Sequence, residues 1–160
     1  MLDGPSVAAA LIRCGITHVV WIPDTELGAW DAALSSTAGL SLIRVCREGE
    51  AFAVAAGLYL GGKKPIVMVQ CTGLFEAGDA LRNVLHDMKL PLFFLVGVRS
   101  YYLHQKNATP DTCPVYTEPI LRAWQVPFVL LDNRHSAADL ADAIRQAQAE
   151  KRAGAALIAE

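Results

Sequence analysis

The sequence predicts an α/β fold: a single three-layer domain over residues 1–160, with a roughly six-stranded parallel sheet between helices. Three observations predict it. Short, β-branched apolar runs alternate with helix-like segments about six times, and such alternation builds parallel sheets covered on both faces. The runs Pro65 to Gln70 and Pro91 to Val98 are almost wholly apolar, as strands buried on both faces are. Polar residues collect just after the strand ends, the edge where such sheets bind ligands.

The elements follow in order. Pro5 opens a first helix that stops at Cys14-Gly15, where glycine suits the C-terminal turn. Thr17 to Ile22 is β-branched and aromatic, a first strand ended by Pro23. Asp24-Thr25-Glu26 leads into a helix through Leu27, Trp30, Ala33 and Leu34. Leu40 to Val45 is the second strand. A helix rich in alanine and glycine opens after Glu48 and runs to about Leu60. Its small residues permit close packing against a sheet or another subunit. Gly61 to Lys64 turns into the third strand, Pro65 to Gln70. Gln70-Cys71-Thr72-Gly73 reads as a polar loop before a helix carrying Leu74, Ala77, Leu81, Val84 and Leu85. Pro91 to Val98 is the fourth strand. Arg99 to Cys113 reads as a loop of about fifteen residues, a length that marks a functional or mobile segment. A helix from Pro114 to Trp124, a strand from Pro127 to Leu131, a helix capped by Ser136 and a strand from Ala155 to Ala159 complete the chain.

Composition narrows the function. A net charge of -2 leaves no nucleic-acid footprint. Hydrophobic residues make up 53% of the chain, but no apolar run approaches the ~20 residues that span a bilayer. That content instead predicts a subunit interface. The N-terminus lacks a signal-peptide core, and Cys14, Cys46, Cys71 and Cys113 are scattered without a CxxC pair. Both features predict a cytoplasmic protein with reduced thiols and no zinc site. The dinucleotide GxGxxG, the phosphate loop and the GxSxG nucleophile elbow are missing.

What remains is a carboxylate at the mouth of the second strand. In Arg47-Glu48-Gly49-Glu50-Ala51 either acid can serve as a helix-start partner for the dipole. The order strand, Arg-Glu-Gly-Glu-Ala, small-residue helix ending Ala56-Gly57-Leu58-Tyr59, Gly-Lys-Lys-Pro, strand, Gln-x-Thr-Gly-Leu resembles the pyrimidine-binding (PYR) domain of thiamine-diphosphate enzymes. It is most similar to the separate small α subunits of sulfopyruvate decarboxylase and to the related phosphonopyruvate decarboxylases.

That resemblance implies a lyase subunit acting on a 2-oxo acid with thiamine diphosphate and Mg²⁺. Glu48 falls on the glutamate that hydrogen-bonds the cofactor's aminopyrimidine ring and so promotes loss of the thiazolium proton. The role asks for a carboxyl group that shares a proton, which apolar surroundings such as Phe52 favour. Gln70, Thr72 and Gly73 would border the pyrimidine, with Cys71 and Phe75-Glu76 departing from the family's Asn and its small pair. The departure at Phe75-Glu76 weakens the expectation of a strongly acidic substrate headgroup. Asp24 and Thr25 fall where relatives place polar residues over the substrate, although Asp24 and Glu26 also suit helix caps. Arg99 sits in a Gly-x-Arg-Gly-like signature whose last glycine is Ser100, and would hold an anionic group. His104 falls where relatives carry proton-relaying histidines. Glu50 is read as a helix or interface acid.

The family's Mg²⁺ motif has no counterpart here: Gly78-Asp79 is followed by Ala80. The resemblance therefore implies a β subunit that carries the diphosphate-binding (PP) domain and the Mg²⁺ ligands, in an α2β2 or larger assembly. Decarboxylation is the first expectation. A carboligase or C–C lyase subunit, a non-catalytic α/β regulatory module and a flavodoxin-like module are the alternatives.

Overall fold

The computed structural model describes residues 2–159. Its six strands, β1 (His18–Trp21), β2 (Ser41–Arg44), β3 (Pro65–Gln70), β4 (Phe93–Val98), β5 (Phe128–Leu131) and β6 (Gly154–Ala159), form one parallel sheet in the order β2-β1-β3-β4-β6-β5. The chain leaves β1 towards one edge to make β2, then returns to lay β3 on the other side. Connections therefore diverge at β1 and β3, the kind of switch point at whose carboxyl ends such sheets bind ligands.

Helices cover both faces. Against one lie α1 (Gly4–Arg13), α2 (Asp31–Ser36) and α8 (Ala137–Ala149), packing Leu11, Leu34, Leu140 and Ile144 on Met68 and Leu95. Against the other lie α3 (Glu48–Leu60), α4 (Cys71–Glu76), α5 (Gly78–Arg82) and α7 (Cys113–Ala123). There Phe52 meets Phe94 edge to face at 5.3 Å. Fully burying such an aromatic side chain contributes roughly 1.5–3 kcal/mol. The alternation of strand residues settles the division. Phe93, Leu95 and Gly97 face one layer, while Phe94, Val96 and Val98 face the other.

Helix ends follow local chemistry. Asp3 caps α1 by accepting from the Ser6 amide at 2.8 Å, and Gly15 takes φ 73 just beyond it. Ser136 and Asp139 form a reciprocal capping box at the start of α8.

Three expectations change. Gln70 to Gly73 is not a loop, because β3 passes straight into α4 at Cys71, whose side chain is fully buried. The single helix expected over Leu74 to Leu85 is α4, α5 and a π-helical turn, Asn83–Asp87. The segment from Arg99 to Cys113 is not an unbroken loop, for it contains the short helix α6 (Tyr101–Gln105).

Candidate active site

The carboxyl edge of the sheet gathers the sequence's candidate residues. Glu48 is the first residue of α3, half-buried, and its carboxylate makes no hydrogen bond among the described residues. It lies across Gly73 of α4. A Cβ built on Gly73 would stand 2.4 Å from Glu48 Cγ and 2.6 Å from its Oε1. No side chain larger than hydrogen fits beneath this carboxylate in its present position.

Two neighbouring acids have partners where Glu48 has none. Glu50 Oε2 accepts from the Cys46 amide at 3.0 Å, closing the turn before α3. Glu76 reaches back from the end of α4. Its Oε1 accepts from Arg47 Nη2 at 2.5 Å, and its Oε2 from the Gly49 amide at 2.9 Å. The Arg47 hydrogen bond, with the Gly49 amide after it, holds the Glu76 carboxyl below its usual range. Glu76 thus clamps the residues on either side of Glu48. Sequence reasoning noted this acid only as a departure, since nothing local reveals a partner 27 positions away.

The remaining candidates lie at or after the ends of other strands on the same edge. Gln70 ends β3, in register with Gly97 of β4, and Thr72 lies in the first turn of α4. Cys71 is buried between them. Burial, then the neighbouring Cys113, push its thiol up to about 12, so it stays protonated and is a poor nucleophile at neutral pH. Asp24 is committed on both oxygens, accepting from the Leu27 amide at 2.7 Å and from Trp21 Nε1 at 2.9 Å. Thr25 is exposed and donates to Glu26 Oε1 at 3.2 Å.

Arg99 donates from Nε to Asp111 Oδ2 at 2.8 Å and from Nη2 to Cys113 Sγ at 3.5 Å. Its Nη1 makes no hydrogen bond among the described residues, and the side chain is 43% exposed, so one edge of the fork is open to an anion. Asp111 also accepts from the Cys113 amide at 3.0 Å; that bond foremost, with Arg99 adding to it, lowers its carboxyl to about 2. His104 lies on α6, half-buried, with no side-chain hydrogen bond among the described residues. Also among the described residues, no group of three His, Cys, Asp or Glu side chains is placed to hold a metal ion. No helix there is long and apolar enough to cross a membrane.

Residues 4–118 match the family model described as thiamine pyrophosphate enzyme, N-terminal TPP binding domain. The chain belongs to this family. Its relatives include the sulfopyruvate decarboxylase subunit alpha of Methanococcus maripaludis, 25% identical over 123 residues that make up 77% of this chain and 73% of that one. The phosphonopyruvate decarboxylase of Streptomyces viridochromogenes is 32% identical over 91 residues, 57% of this chain but 23% of that protein. Among solved structures, benzoylformate decarboxylase from Polynucleobacter necessarius superposes with a TM-score of 0.73 at 18% identity, over 99% of this chain and 30% of the other. The 2-oxoglutarate:ferredoxin oxidoreductase of Magnetococcus marinus gives 0.66 at 16% identity, over 99% and 29%. The fold of this TPP-binding domain is thus shared with larger enzymes, and the family match ends inside α7, before β5, α8 and β6.

Proposed function

We propose that this chain is the pyrimidine-side subunit of a two-chain, thiamine-diphosphate-dependent decarboxylase of 2-oxo acids in the cytoplasm. The observation that carries the reading is the unpartnered Glu48 carboxylate, laid over Gly73 at the mouth of the sheet. A carboxylate with an open hydrogen-bonding face at that position suits an aminopyrimidine ring. Family membership and the relatives named sulfopyruvate and phosphonopyruvate decarboxylase support the cofactor and the reaction class.

Thiamine diphosphate, when bound, supplies the electron sink for loss of CO₂ next to a carbonyl. In our reading Glu48 shares a proton with the ring nitrogen. Glu76 holds Arg47 and the Gly49 amide and so fixes the backbone that carries Glu48. Gln70, Thr72 and Gly73 form the wall beside the ring. On the substrate side we assign the exposed Thr25 hydroxyl, the open Nη1 of Arg99 for the substrate's anionic group, and His104 as a proton carrier. Asp24 then acts by fixing the turn that carries Thr25, since both its oxygens are engaged. The Mg²⁺ ligands and the diphosphate site belong to a β subunit, a division that the name "subunit alpha" of the relatives supports.

The deciding experiment is co-expression with a candidate PP-domain chain, followed by assay of CO₂ release from a panel of 2-oxo acids. Glu48→Gln should assemble normally and lose roughly 10²–10⁴-fold in turnover, the range for removing a general acid–base group. An assembled Glu48→Gln complex with unchanged turnover would favour a non-catalytic module that keeps only the fold.

A further inference from the structure

Glu26 is a buried acid that the proposed chemistry does not use. It is 8% exposed, and its Oε2 has no hydrogen-bond partner among the described residues. Oε1 has only the Thr25 hydroxyl, at 3.2 Å. The neighbouring donors are committed elsewhere: Trp30 Nε1 to the Leu2 carbonyl at 3.2 Å, and Trp21 Nε1 to Asp24. The acid is nevertheless seated deliberately. A Cβ on Gly97 would fall 2.9 Å from Glu26 Cβ, so glycine in β4 is what lets the turn after β1 settle on the sheet.

Glu26 lines a cavity of about 430 Å³ at the carboxyl ends of β5 and β6, on the face covered by α1 and α2. Its walls include Trp30, Leu131 and Ile158, and Tyr102 and Asp132 also line it. Asp132 is the other acid there, but it is already matched. Its oxygens accept from Arg134 Nη2 at 2.6 Å and lie 2.7 Å from His135 Nδ1. Among the described residues that line the cavity, Glu26 is the acid whose carboxyl keeps an oxygen without a partner. An apolar chamber with aromatic walls and one unpaired carboxylate is complementary to a cation on an apolar body.

We propose that this cavity, which Thr25 also lines and which therefore adjoins the assigned substrate side, is a ligand site for a small organic cation bearing a primary ammonium or amidinium group that pairs with Glu26. The proposal does not depend on the decarboxylase reading, because its test needs no turnover.

The test titrates the full chain with benzylamine and benzamidine, and with benzyl alcohol and benzoate as neutral and anionic counterparts of similar size. Binding is followed by calorimetry and amide chemical shifts. Either cation should bind saturably and at least about tenfold more tightly than the alcohol, the scale of one charge-assisted hydrogen bond, with benzoate weakest. Shifts should centre on Thr25, Trp30 and Ile158. Glu26→Gln should erase the preference for cations and melt no lower than the parent, since it replaces a buried acid whose Oε2 has no partner among the described residues. Ala29→Trp, an exposed position on the cavity lining, should block all four probes without touching the acid. Equal affinity for amine and alcohol, a preference that survives in Glu26→Gln, or no saturable binding would each overturn the proposal.

Discussion

An alanine at position 73 would set its Cβ 2.4 Å from Glu48 Cγ, inside any tolerable contact, and both backbones are fixed by helices. The carboxylate must then swing off its seat. Gly73→Ala should lower turnover of the assembled enzyme by at least about tenfold while costing the fold only the 1–3 kcal/mol typical of overpacking. Assay of the complex and urea unfolding of the chain separate the two effects. Undiminished turnover would show that the seat does not position Glu48. This juxtaposition was half legible in the sequence: Glu48 and Gly73 are both part of the family pattern, but their contact is not. Ser100 is similar. The sequence marks it as standing where relatives have glycine, and the structure places it at φ 59, the left-handed conformation that glycine adopts at least cost.

At the scale of elements, strand and helix order was legible because apolar period and glycine or proline punctuation are local signals. What the sequence hid were contacts between distant elements. The break of one expected helix into α4, α5 and a π turn, the clamp from Glu76 and the ordering of residues 99–113 all depend on them. In that last segment Asp111 ties Arg99 to the start of α7 through the Cys113 amide. Its lowered carboxyl sets the sign of a pH effect. The stabilisation is complete above the unfolded range near ~4 and is lost as pH falls through about 2. Asp111→Asn should therefore unfold at lower urea than the parent at pH 5, with the gap narrowing towards pH 2.5. A gap that stays constant over that interval would show that the charge contributes nothing to holding the segment.

On the scale of the whole molecule, the proposed function gives the carboxyl edge one half of a cofactor site. That reading assigns Glu48, Gly73 and Thr72 to the pyrimidine, whereas no metal-binding group of three acidic, histidine or cysteine side chains exists among the described residues. A diphosphate in water prefers its Mg²⁺ and hydration shell, so the pyrimidine contacts alone would have to outweigh the cost of immobilising the whole cofactor. Exposed apolar residues, Leu103, Val115 and Tyr116, stand on α6 and the first turns of α7, a surface that suits a second chain. Thiamine diphosphate and Mg²⁺ should therefore survive desalting only on the co-purified complex, in near-stoichiometric amount, and wash off the isolated chain. Cofactor retained by the isolated chain would mean that the diphosphate site lies within these 160 residues, and the two-chain reading would fail. Cofactor on neither would count against the enzyme itself, because the open face of Glu48 would then have no ring to meet.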